Sequence, residues 1–139
     1  LGADENTDFV DAFAAYGRHL GIAFQLIDDV LDYQGEASEL GKNVGDDLAE
    51  GKPTLPLIYT IANGSPEQAT LIKDAIRSGG LEHLEQIVET VRASGGLQYT
   101  VDKAAEQTRI ALEAIAQVPA SPYKDALFRL AEESLKRTY

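Results

Sequence analysis

Apolar and polar positions repeat at helical spacing along almost the whole 139-residue chain. Leu20, Ala23, Phe24, Leu26, Ile27, Val30 and Leu31 recur at three- and four-residue steps, which predicts a long helix over 8–33 with one apolar side. Pro53 and Pro56 open a second helix that Asn63 and Gly64 stop after Ala62. Ser65-Pro66-Glu67-Gln68 starts a third: Ser65 can cap, Pro66 suits the first turn, and Gln68 can complete a reciprocal capping box. That helix is predicted to reach Ser78, where Gly79-Gly80 ends it. Leu81, Leu84, Ile87, Val88 and Val91 line a fourth, terminated by Gly95-Gly96. A fifth spans 97–117, ahead of Pro119. Ser121-Pro122 opens the last helix, with Leu127, Leu130, Ala131 and Leu135 as its buried stripe.

Residues 35–51 are polar and glycine-rich, which predicts a loop with a short helix at 46–50. Strict alternation of β-branched residues is missing, and so is an Asn-Gly or Asp-Gly hairpin between alternating runs. The expected fold is all-α: five or six helices joined by short turns, forming a single helical unit over 1–139.

Composition narrows the function. With 44% apolar side chains the chain can bury one core, and it is too short for two ordinary domains. Twelve Lys and Arg against twenty-three Asp and Glu give a net charge of -11, the wrong sign for a nucleic-acid surface. No apolar run approaches the ~18 residues of a membrane span. With no cysteine, disulfides, thiolate metal sites and thiol catalysis drop out. No basic-then-apolar leader is visible, and a cytoplasmic protein is expected. The chain has no methionine and opens on Leu1, so a piece of a longer protein is expected.

The candidate chemistry lies on the first helix. At about 100° per residue, with Asp28 at zero, Asp32 falls at roughly 40°, Gln25 at roughly 60°, Arg18 at roughly 80° and Asp29 at roughly 100°. The apolar residues fill the opposite arc. Gly17 and Gly21 align with the carboxylates, as suits a place where something approaches the backbone closely. A bare D-D-x-x-D also suits a solvated acidic face. Its spacing excludes an EF-hand but fits Mg2+, a hard ion that takes one or two carboxylates plus phosphate oxygens. Downstream, Gly41-Lys42 and Gly51-Lys52 each set a lysine beside a glycine. They do not form a P-loop, because Pro53 stands where Ser or Thr is required after Lys52. Two loop lysines serve solubility as readily as anion binding. Together with nearby carboxylates they point to a metal-diphosphate site.

The run Phe24-Gln25-Leu26-Ile27-Asp28-Asp29-Val30-Leu31-Asp32-Tyr33, followed by Gly41-Lys42-Asn43-Val44-Gly45-Asp46-Asp47-Leu48 and Gly51-Lys52-Pro53-Thr54-Leu55-Pro56-Leu57, resembles the second aspartate-rich motif and lysine loop of trans-polyprenyl diphosphate synthases. The lysine loop is most similar to the long-chain, octaprenyl-type branch that makes quinone side chains. The specific motifs cover 16–57, and weaker similarity extends to the end. The resemblance implies the C-terminal half of an isoprenoid-synthase-type bundle. It implies Mg2+ held through Asp28, with Asp29 and Asp32 holding metal-bound water or supporting geometry. Gln25, Lys42 and Lys52 would contact the allylic diphosphate. The implied reaction ionises that substrate, lets the isopentenyl diphosphate double bond attack the cation, and removes a proton. The implied assembly is a homodimer.

A departure accompanies the likeness. A first aspartate-rich motif and the basic residues that bind isopentenyl diphosphate are absent from these 139 residues, so the chain alone is expected to be inactive. Two other readings are a non-catalytic helical subunit of a heteromeric synthase and an acidic interaction module. Intact Asp28, Asp29, Asp32, Lys42 and Lys52 argue against the first. His19, on the apolar side of the helix, is expected to be packed, and His83 to lie on a surface. Phe9, Phe13 and Tyr16 suit a core or a dimer contact. Lys136 and Arg137 resemble a basic tail that closes over the site, although a charged last turn accounts for them better.

Overall fold

The computed structural model describes residues 3–33, 44, 54–78 and 84–136, with side chains from residue 9. Six helices follow one another among them: α1 (Ala3–Leu31), α2 (Leu55–Asn63), α3 (Pro66–Ser78), α4 (Leu84–Ser94), α5 (Gly96–Ala114) and α6 (Pro122–Lys136). The all-α expectation holds. The expected helix at 46–50, Leu81, Lys42, Lys52, His83 and Arg137 lie outside the described residues.

Helix starts follow the local chemistry. Ser65 N–H donates to Gln68 Oε1 at 2.9 Å, and Gln68 N–H donates to Ser65 Oγ at 3.2 Å. That is the reciprocal box the sequence predicts, satisfying two amides that a helix start would otherwise leave bare. At α6, Lys124 N–H donates to Ser121 Oγ at 3.0 Å. Gly95 ends α4 at φ 88°, a backbone region that side chains other than glycine rarely adopt.

The chain divides into two compact units, Leu1–Ile27 with Asp102–Tyr139 and Asp28–Val101. In the first, Tyr16, Leu20, Ala111, Ile115, Val118 and Ala131 are buried, with Phe9, Phe13, Phe24 and Phe128 packed around them. The Tyr16 hydroxyl donates to the Leu127 carbonyl at 2.6 Å. His19 is half-buried, as expected, and its Nδ1 lies 2.7 Å from Gln107 Oε1. The second unit gathers Tyr33, Val44, Leu57, Ile72, Ile87, Val88 and Val91. Burying each large aliphatic side chain there contributes about 1.5–3 kcal/mol.

Within that second unit, α5 starts tightly against α2. A Cβ at Gly96 would stand 2.9 Å from the Pro56 carbonyl oxygen. Thr60 Oγ1 and Ser94 Oγ sit 2.8 Å apart beside it. Their two hydroxyl hydrogens are shared among this contact and the carbonyls of Pro56 and Val91, and Ser94 Oγ also accepts from Gly96 N–H at 3.0 Å, so the polar atoms at the junction are not stranded.

Three details depart from expectation. Helix α1 begins at Ala3, ahead of the predicted Asp8. Helix α5 ends at Ala114 instead of Gln117, and the chain continues in tight turns from Ala116 N–H to Glu113 O and from Val118 N–H to Ile115 O. Leu130 is 44% exposed rather than buried. The buried line of α6 runs through Ala131 and Ser134, one step to the side.

Candidate functional site

Helix α1 ends in the aspartates. Asp28 and Asp29 sit in its last turn, and Asp32 is the first residue beyond it. Asp32 N–H donates to the Asp28 carbonyl at 3.1 Å, and the end then tightens as Tyr33 N–H reaches the Val30 carbonyl at 3.0 Å. Asp28 is exposed and Asp32 half-exposed, while Gln25 is exposed one turn earlier. Residues four apart are neighbours on a helix surface, so Asp28 and Asp32 share a face.

Asp29 has different surroundings. It is 9% exposed, whereas Leu31, expected on the apolar side, is 39% exposed. One residue on from Asp28 is a turn of about 100°, enough to carry the Asp29 side chain from solvent into packed surroundings. Of the polar stripe expected at Asp28, Asp29 and Asp32, Asp28 is exposed, Asp32 half-exposed and Asp29 buried. Gln25, Asp29 and Asp32 each have interactions with the surrounding chain. Among the described residues, no group of three His, Cys, Asp or Glu side chains is placed to hold a metal ion.

The charge at this helix end is uncompensated by its own sequence. A helix C-terminus carries roughly half a negative charge, which disfavours carboxylates there. The last turn of α1 holds no basic residue. A positive group comes instead from α4: Arg92 donates from Nε at 3.0 Å and from Nη2 at 2.6 Å to the Tyr33 carbonyl, 59 residues away in sequence. Sequence reasoning misses this contact. An arginine in the last turn of α4 reads as the complement of its own helix dipole, and no local signal names a distant carbonyl.

Two hard carboxylate donors on one accessible face match what Mg2+ takes from a protein when phosphate oxygens complete its shell. Asp28 and Asp32 are the residues that would hold it. Lys42 and Lys52 lie outside the described residues. Gly17 and Gly21 are exposed, and a Cβ at either would meet nothing within 4 Å, so that side of α1 is open among the described residues. Lys136 is exposed at the end of α6. A depression of about 580 Å³ in the second unit, lined by Glu67, Gln68, Asp74, Gln86 and Thr90, contains none of the expected site residues.

Polyprenyl synthetase is the family whose sequence pattern matches residues 1–92. The chain belongs to this family. It is 49% identical over 123 residues to octaprenyl diphosphate synthase of Escherichia coli (strain K12), an overlap covering 88% of this chain and 38% of that protein. The chain thus spans about two-fifths of the length of that relative. Among solved structures, a decaprenyl diphosphate synthase from Rhodobacter capsulatus superposes with a TM-score of 0.82 at 36% identity, over 96% of this chain and 42% of that one. A polyprenyl synthase from Caulobacter crescentus CB15, complexed with calcium and isoprenyl diphosphate, gives 0.79 at 39% identity, over 96% and 41%. Two of these relatives are diphosphate synthases named for different product lengths, octaprenyl and decaprenyl, and the solved structures are all-α like this one. No helix among the described residues is long and apolar enough to cross a membrane.

Proposed function

We propose that this chain is the C-terminal part of a long-chain polyprenyl diphosphate synthase, a prenyltransferase that extends an allylic diphosphate with isopentenyl diphosphate. In this reading it supplies one helical portion of the synthase domain, carrying the second aspartate-rich Mg2+ and diphosphate site. The product is of the octaprenyl type used for quinone side chains, and the enzyme is a cytoplasmic homodimer. The observation that carries the reading is the Asp28–Asp32 pair on the accessible end of α1, within a chain 49% identical to an octaprenyl diphosphate synthase.

The residues have separable tasks. Asp28 and Asp32 present oxygen donors on one face, and Asp29 holds metal-bound water or supports the geometry. Gln25, one turn earlier, and Lys42 and Lys52 in the following loop hold the allylic diphosphate. When bound, Mg2+ supplies positive charge where the departing diphosphate gains negative charge. The lysines act in the same sense: they meet charge that grows as the carbon–oxygen bond breaks, so they favour the transition state over the ground state. The allylic cation is then attacked by the isopentenyl double bond, and loss of a proton restores the alkene. Positioning of isopentenyl diphosphate falls to residues outside this chain.

The test is reconstitution. The 139-residue chain is mixed with a separately expressed N-terminal half of an octaprenyl-type synthase and assayed for Mg2+-dependent elongation. Neither half is active alone, and the mixture is. Activity in the mixture disappears with Asp28→Ala. Robust elongation by the 139 residues alone contradicts the reading, because one diphosphate wall would then suffice.

A further inference from the structure

Arg92 belongs to none of the expected chemistry, yet it grips the end of the aspartate-bearing helix. We propose that Arg92 is a positioning residue for the Asp28–Asp32 face: it locks the end of α1 so that the two carboxylates meet a cation–diphosphate pair in register. This rests on the function proposed above and adds to it a residue on a different helix.

Both Arg92 donors converge on one oxygen, the Tyr33 carbonyl, at 3.0 and 2.6 Å. Tyr33 lies two residues beyond Leu31, the last residue of α1, so the contact pins the chain in the turn just past a helix end whose last carbonyls have no partner further along the helix. Tyr33 directly follows Asp32. Asp32 is tied back to Asp28 by its N–H at 3.1 Å, so a shift at the Tyr33 carbonyl passes to both carboxylates. Arg92 itself is exposed, but residues beside both ends of the contact are packed. The Tyr33 side chain is 2% exposed, and Val88 and Val91, beside Arg92 on α4, are buried in the same apolar cluster. Arg92 also brings a full positive charge to a helix end whose own last turn has none. A lysine could supply the charge but not the planar fork.

Calorimetry on the full 139-residue chain, titrating inorganic diphosphate at fixed Mg2+, gives the affinity readout. Arg92→Ala weakens binding about tenfold or more, the range for a residue that orients a metal ligand through its surroundings. Arg92→Lys falls between it and the parent, and Arg77→Ala, an exposed charge on α3, matches the parent. Amide hydrogen exchange provides a second readout: Arg92→Ala speeds exchange at residues 30–33 and leaves α6 unchanged. If Arg92→Ala does not fold, Arg92→Lys and Arg92→Gln carry the same comparison. A lowered melting temperature with unchanged diphosphate affinity makes Arg92 purely structural and overturns the inference. If Asp28→Ala abolishes binding while every Arg92 variant binds like the parent, the positioning role alone is rejected. If the parent chain binds no diphosphate with Mg2+, or Asp28→Ala binds like the parent, the functional reading itself fails and this inference with it.

Discussion

Asp28 and Asp29 are sequence neighbours in opposite surroundings: Asp28 faces solvent, and Asp29 is 9% exposed. Their substitutions should therefore separate chemistry from stability. Asp28→Ala in the complete synthase lowers turnover by about 10²–10³-fold, the scale of losing a group that stabilises developing charge, and leaves helical content unchanged. Asp29→Ala removes a buried polar group that has a partner, and lowers the unfolding free energy by about 1–3 kcal/mol. Circular dichroism and urea unfolding beside the elongation assay check both. A loss of folding with Asp28→Ala that matches its loss of rate would make Asp28 structural.

Diphosphate and Mg2+ should bind together or not at all. The anion meets carboxylates at the negative end of α1, and Coulomb repulsion opposes it until a cation stands between them. Calorimetry with diphosphate alone should show no saturable heat, and the same titration with Mg2+ should show it. Equal affinity with and without the metal would contradict a carboxylate–cation–anion arrangement.

Local signals in the sequence carried most of the fold and part of the site. The Ser65–Gln68 box, the Ser121 cap and the stop at Gly95 are set by residues within a few positions of one another, and they appear where the sequence places them. Helical periodicity also located the buried side of α1 through Tyr16, Leu20, Ala23, Ile27 and Val30. It failed at the margins. Leu130 and Leu31 are apolar but exposed, and Asp29 is charged but buried. A wheel ranks residues by their own helix, whereas burial is decided by what packs against it. Arg92 shows the same limit more strongly, because its partner carbonyl is fixed by tertiary packing across 59 residues.

The α3 cap offers a test free of any assumption about catalysis. Ser65→Ala leaves the Gln68 N–H without its side-chain acceptor and should cost about 1 kcal/mol, whereas Ser65→Asn should cost little. Gln68→Ala removes the reverse bond to the Ser65 N–H. The double variant should lose less than the sum of the singles, since the two bonds support each other. Urea unfolding of the four proteins measures this, and strict additivity would mean that the bonds act independently.

Tyr16 should give the chain a distinct response to alkali. Burial first, and then the neighbouring Tyr123 charge, push its hydroxyl above its ordinary pKa of 10.0. The hydroxyl donates to the Leu127 carbonyl, a bond that exists only in the protonated form. The folded chain therefore holds this proton more tightly than the unfolded chain. The associated stability is fully present below the unfolded value and is lost as pH rises through the raised folded value. Tyr16→Phe keeps the ring in the Leu20, Ile115 and Ala131 cluster but has no proton to lose. At neutral pH the variant should be about 1 kcal/mol less stable, the net worth of one hydrogen bond. Above about pH 10 the gap should narrow, because only the parent pays the titration cost. Urea unfolding of both proteins across that range decides it: a constant gap would mean that Tyr16 titrates no differently in the folded chain than in the unfolded one.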